Sequence, residues 1–111
     1  MSVFERILAG EIPCKKVYED ACVLAFHDLH PQAPVHVLVI PKRKLLNTEE
    51  LFQQSPDYIG QFFLGIHRVL LHLGLPANGY RLVFNCGEEG GQTVPYLHAH
   101  LLGGKQLIGF A

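Results

Sequence analysis

The hexapeptide Val35-His36-Val37-Leu38-Val39-Ile40, closed by Pro34 before it and Pro41 after it, sets the strongest limit on the architecture of this chain. β-Branched and apolar side chains suit a pleated strand, and proline donates nothing to a ladder. The segment therefore reads as a central strand with prolines at its ends. His30-Pro31-Gln32-Ala33-Pro34 ahead of it is a rigid connection, because each proline fixes its own φ and steers the preceding residue away from helix. A second constraint lies downstream. Ser55-Pro56 supplies a cap and a first helical residue, and Ile59, Phe62, Phe63, Ile66, Val69, Leu70 and Leu73 recur at three- and four-residue steps up to Gly74. That spacing predicts one long helix with one buried face.

The rest of the chain is arranged around these two elements. Ser2 can cap a short helix through Ala9, with Val3, Phe4, Ile7 and Leu8 as its apolar stripe and Gly10 as its stop. Lys16 to Glu19 and Cys22 to Asp28 read as two strands around a Glu19-Asp20 turn, and Thr48 is the expected cap of a helical turn reaching Phe52. Tyr80 to Cys86 and Val94 to Leu102 read as two further strands joined by Gly87-Glu88-Glu89-Gly90-Gly91-Gln92-Thr93. The expected class is α+β with an antiparallel sheet, and no repeat or linker divides residues 1–111 into more than one domain.

Composition narrows the function. With 111 residues, 49% of them hydrophobic, the chain can bury roughly 65% of its unfolded surface, enough for a core without disulfides or a structural metal. Nine Lys and Arg against ten Asp and Glu give a formal charge of −1, and Lys42-Arg43-Lys44 is the only basic run, so no nucleic-acid partner is expected. Apolar runs such as Val37 to Ile40 fall far short of the roughly 18–20 residues that span a bilayer, so no membrane partner is expected either. Charge at Glu5 and Arg6 does not suit a secretory leader, and three cysteines without a C-x-x-C pair suit a reducing compartment; the expected location is cytoplasmic.

Seven histidines stand out in so short a chain. Residues two apart in a strand lie about 6.6 Å apart on one face, which groups Tyr96, His98 and His100 against Leu97, Ala99 and Leu101. Three readings stay open. The histidines can be ordinary strand residues. His98 and His100, joined by His36 or His27, can hold a zinc ion. Or one imidazole can attack phosphorus while its neighbours carry charge on the phosphoryl oxygens. Gly87, Gly90 and Gly91 allow backbone N–H groups to approach an anion, and Gln92 and Thr93 add neutral donors. Asn85 can orient an imidazole or simply begin a turn; Asp28 can accept from ribose hydroxyls or cap the turn before Pro31. His67 and His72 belong to the helix surface, and Glu88 and Glu89 should face solvent.

The segments Phe26 to Lys42 and Gly90 to Gly104 resemble the histidine triad (HIT) superfamily, and most closely its Hint branch of purine nucleoside phosphoramidases, once described as protein kinase C inhibitors. The resemblance runs from about Val3 to Gln106. It implies a HIT-like fold: a five-stranded antiparallel sheet with one long and one short helix, joined to a second sheet across a homodimer at which the long helix packs. It also implies hydrolysis of nucleoside 5'-phosphoramidates, conjugates of purine nucleoside monophosphates, through a covalent nucleotidyl-histidine at His98. His100, His36 and Thr93 would assist. Asn85, Gly91, Gln92, Thr93 and Val94 would hold the phosphate, Asp28 the ribose, and Phe4, Ile7, Phe26, His27 and Leu29 the purine. Neither cofactor nor metal is implied. Tyr96 departs from the family pattern, where the first of three alternating residues is histidine. A hydroxyl with an ordinary pKa near 10 stays neutral at pH 7, so proton transfer would fall to His100 and His36. The alternative is a nucleotide-binding module with little turnover.

Overall fold

Hydrogen bonding on both edges of one strand organises the computed structural model, which describes residues 1–110. Strand β3 (Val35–Pro41) lies between β2 (Val23–His27) and β5 (Ala99–Gly103), while β1 (Lys16–Glu19) and β4 (Arg81–Phe84) close the two sides. The order is β1-β2-β3-β5-β4 and every pairing is antiparallel. This is the five-stranded α+β architecture that the resemblance implies. Six of the seven residues of β3 are buried, consistent with its apolar, proline-bounded sequence.

The pleat divides the side chains between two unlike layers. On one face Val23, Ala25, Val37, Val39, Ala99 and Leu101 pack beneath helix α3 (Pro56–Leu73), which contributes Phe62, Ile66, Val69 and Leu70. Each of the Val, Leu, Ile and Phe side chains, fully buried, stabilises the fold by about 1.5–3 kcal/mol. The helix starts where Ser55 accepts the Tyr58 N–H at 3.1 Å, with Pro56 in its first turn, and stops at Gly74, whose φ of 70° suits a residue without a Cβ. On the other face Leu24, Phe26, Leu38, Ile40 and Tyr96 form a smaller apolar layer, which helix α1 (Val3–Leu8) enters through Phe4.

Several boundaries differ from the sequence reading for identifiable reasons. Asn47, not Thr48, caps helix α2 (Thr48–Phe52), its side chain accepting the Glu50 N–H at 3.1 Å. There are thus two short helices beside the long one, with a 3-10 turn at Leu75–Ala77. Strand β5 begins at Ala99 rather than Val94, because Pro95 has no N–H, Tyr96 N–H turns back to Val94 O (2.8 Å) and Leu97 N–H leaves the sheet for Leu45 O (2.7 Å). The preceding strand is only Arg81–Phe84, since Gly87 to Gln92 close a loop of their own. Cys22 is held by the Asp20 carboxylate, so β2 starts one residue later.

Gly65 lets α3 lie close against the sheet at Val23. A Cβ there would stand 3.0 and 3.1 Å from the two γ-methyls of Val23, a β-branched side chain with no exposed surface. Alanine normally gains about 1 kcal/mol over glycine within a helix. Here overpacking outweighs that gain, and Gly65→Ala is expected to destabilise the protein by about 1–2 kcal/mol in urea denaturation.

Candidate active site

The apolar layer opens at one end into a cluster of imidazoles, and the register explains why. Leu38 pairs with His100 and His36 with Leu102 across β3 and β5, so the even-numbered side chains of both strands share the face that carries Phe26 and Tyr96. His36 Nε2 meets His100 Nδ1 at 3.0 Å, and the His98 and His100 ring centroids are 5.0 Å apart. Tyr96 and His98 precede the strand, yet Leu97, Ala99 and Leu101 remain on the α3 side, so the predicted alternation persists through the turn.

Fixed backbone partners assign the tautomers. His36 Nδ1 lies 3.0 Å from the Gln32 N–H, which can only donate, so Nε2 carries the hydrogen of the neutral ring. That hydrogen points to His100 Nδ1, which leaves His100 Nε2–H as a donor. His98 Nδ1 lies 2.7 Å from Tyr96 O, which can only accept, so the in-plane lone pair of neutral His98 is on Nε2. Burial lowers the His98 pKa below the ordinary value of 6.5, against the opposing pull of the Tyr96 carbonyl and the Asp28 charge. Burial, followed by the neighbouring His98 and His36, pushes His100 down to about 4. Both rings are therefore neutral at pH 7, and His98 has the form of a nucleophile.

Asp28 stands beside this pair. Its Oδ1 accepts the His30 N–H at 2.8 Å, the turn-cap role, while Oδ2 lies 3.5 Å from His36 Nε2. One ligand atom from each of Asp28, His36 and His100 falls within 4.8 Å of the others. This differs from the sequence-based zinc set, with Asp28 in place of His98. The Gln32 N–H on Nδ1 works against ligation by His36, because its remaining nitrogen bears the proton. As placed, His100 Nδ1 and, at longer range, Asp28 Oδ2 both face the one Nε2–H of His36.

Two clefts meet along Lys15, His27, Asp28 and Leu29. One, of about 310 Å³, is mainly apolar and includes Phe4, Ile7, Phe26, Thr93 and Val94. The other, of about 470 Å³, runs past Pro31 and Pro34 to His36. The resemblance had not pointed to Ile12, Cys14, Lys15 or Leu38, which also line the first cleft. Leu38 was legible, since it alternates with His36 on β3; the 12–15 segment carries no periodic signal. Leu29 is 81% exposed and forms a rim rather than a wall.

The loop donors are engaged with the protein itself. Asn85 Nδ2 donates to Gly90 O (2.8 Å) and makes no hydrogen bond to an imidazole. Gln92 Nε2 donates to Leu46 O (2.7 Å) and Val94 O (3.0 Å), while its Oε1 accepts the Gly87 N–H (3.0 Å). These two side chains shape the loop. Gly91 has φ 77°, and a Cβ on Gly90 would collide with Cys86 O, so glycine is required at both. Thr93, Gly91, Glu88 and Glu89 are exposed, and His67 and His72 lie on the outer surface of α3.

Tyr96 does not join the imidazoles. It is 1% exposed and its hydroxyl donates to Pro41 O at 2.6 Å, with Arg43 O at 3.4 Å; burial pushes its pKa up to about 12. The side chain ties the β3 terminus to the segment before β5. Tyr96→Phe leaves Pro41 O without this partner and is expected to cost about 1–3 kcal/mol in denaturant unfolding. His98 should titrate as before by imidazole NMR. A second expectation follows from His100. An unfolded histidine binds its proton near pH 6.5, whereas folded His100 waits until about pH 4, so acidification across that window favours unfolding. Urea midpoints of His100→Gln should therefore decline less steeply between pH 7 and 4.5 than those of the natural chain.

The HIT domain model matches residues 9–107. An uncharacterized 13.2 kDa HIT-like protein of Azospirillum brasilense is 45% identical over 107 residues, spanning 96% of this chain and 88% of that protein. A histidine triad protein from Clostridium difficile superposes with a TM-score of 0.88 at 40% identity, covering 98% of this chain and 95% of the other. A HIT family hydrolase from Legionella pneumophila gives 0.89 at 39% identity, covering 97% and 96%. The histidine triad nucleotide-binding protein of Candida albicans gives 0.80 at 28% identity, covering 100% and 86%. With His36 and His100 paired on one face of the sheet and this similarity along nearly its whole length, the chain belongs to the HIT domain family and is similar to that family's hydrolases.

Proposed function

We propose that the chain hydrolyses the P–N bond of purine nucleoside 5'-phosphoramidates through a covalent intermediate on His98. The observation that carries this reading is the tautomer of His98: the Tyr96 carbonyl holds Nδ1–H, which leaves the Nε2 lone pair available. The purine would enter the apolar cleft between Phe4, Ile7 and Phe26, and the Asp28 carboxylate would accept from the ribose hydroxyls. The backbone N–H groups of Thr93 and Val94 suit the phosphate, while those of Gly91 and Gln92 are bonded within the loop to Glu88 O and Gly87 O.

In the first step Nε2 of His98 bonds to phosphorus as the P–N bond to the amine breaks. The departing nitrogen leaves as the free amine with a proton taken from water in the open cleft, His100 Nε2–H donating a hydrogen bond to it while His36 Nε2–H holds His100 Nδ1 as an acceptor. Water then attacks the same phosphorus as the P–Nε2 bond breaks, its proton returns to solvent, and nucleoside monophosphate leaves with His98 neutral again. Tyr96 takes no part in this sequence, since its hydroxyl is bonded to the backbone at Pro41. The same reading treats residues 1–111 as one cytoplasmic catalytic domain acting as a homodimer. Exposed Leu64 and Leu71 on α3 and Leu82 on the edge strand β4 support that pairing. No described helix is long and apolar enough to cross a membrane.

The test is release of adenosine monophosphate from adenosine 5'-phosphoramidate, with chelator present, by the natural protein and by His98→Ala. Release is expected from the natural protein, with a loss of about a thousandfold or more in the variant. Binding of adenosine monophosphate without release by either protein would instead identify a nucleotide-binding module.

A further inference from the structure

Phe4 occupies an unusual position on α1. It is 5% exposed, lines the apolar cleft, and its ring centroid lies 5.0 Å from that of His98 at an interplanar angle of 71°. Phe26 (5.8 Å) and Tyr96 (6.2 Å) hold the Phe4 ring edge-on from two further directions. The His98 imidazole has a single hydrogen bond, from Nδ1–H to Tyr96 O, and one such bond fixes a point of the ring but not its tilt. Contact with Phe4 and with His100 supplies what the hydrogen bond leaves free.

We propose that Phe4 is a positioning residue for the nucleophile, the aromatic stop that fixes the tilt of His98 and keeps water from its ring. This rests on the reading of His98 as the attacking group. The helix that carries Phe4 is only six residues long and is held by a reciprocal Ser2–Glu5 cap, a Glu5–Lys44 ion pair at 3.3 Å and Phe4 itself. Phe4 thus serves two sites, with the cleft on one side and the nucleophile on the other. Ile7 lines the same cleft from the next turn without presenting a ring to His98.

The chemical consequence has a definite sign. Burial is the largest influence holding the His98 pKa down. Removing the Phe4 ring admits water, favours imidazolium and withdraws the lone pair at neutral pH. The other titratable groups around His98 are His100 beside it and Asp28, whose charge acts on it, with His36 next to both. All remain in place when Phe4 is changed.

The experiment compares the natural full-length protein with Phe4→Leu and Ile7→Ala, following His98 by nitrogen-15 imidazole NMR across pH and measuring adenosine 5'-phosphoramidate kinetics. In Phe4→Leu the His98 midpoint is expected to rise by about half a pH unit or more, with kcat falling about tenfold. Ile7→Ala should raise KM and leave the His98 titration where it was. An unchanged titration in Phe4→Leu, with a change in KM alone, would overturn the proposal. Phe4→Met, judged by the same readouts, replaces Phe4→Leu if that variant does not fold. If the natural protein releases no adenosine monophosphate, the hydrolase reading fails separately and the imidazole titration alone decides the role of Phe4.

Discussion

The pairing of β3 with β5 is the constraint on which both the core and the candidate site depend. A register that sets Leu38 opposite His100 sends Val37, Val39, Ala99 and Leu101 to one face and His36, Leu38 and His100 to the other. A slip of one residue would exchange the two sets, burying imidazoles beneath α3 and exposing valines to the cleft. The apolar demand of α3 therefore fixes the imidazole cluster as well, because neither face can be satisfied without the other.

Much of this was legible in the sequence because it depends on periodicity. The three- and four-residue steps from Ile59 to Leu73 and the apolar run Val37 to Ile40 of β3 each have only one comfortable conformation. The alternation through Tyr96, His98 and His100 identified the shared face, although only His100 of the three lies within the regular strand. Boundaries decided by single hydrogen bonds were less legible. The departure of Leu97 N–H to Leu45 O joins residues far apart in sequence, and no local pattern announces it.

The candidate site shows the same division. The histidines and Asp28 were identifiable from their positions, but their tautomers were not, since these depend on Gln32 N–H and Tyr96 O. Gln92 and Asn85 were expected to face a phosphate; their amides instead bond to backbone carbonyls and shape the loop whose N–H groups are candidates for that task. The residue type indicates capacity for hydrogen bonding. Which partner it takes is settled by the packing of segments distant along the chain.

Tyr96 carries a consequence for how such a chain can vary. Tyrosine and histidine codons differ by a single nucleotide, so exchange at this position is among the most accessible steps open to the gene. The hydroxyl is directed at the Pro41 carbonyl and away from the imidazole cluster, which makes the exchange a trade in how firmly two segments of backbone are joined. Selection at this codon would then act on the persistence of the folded protein in the cell.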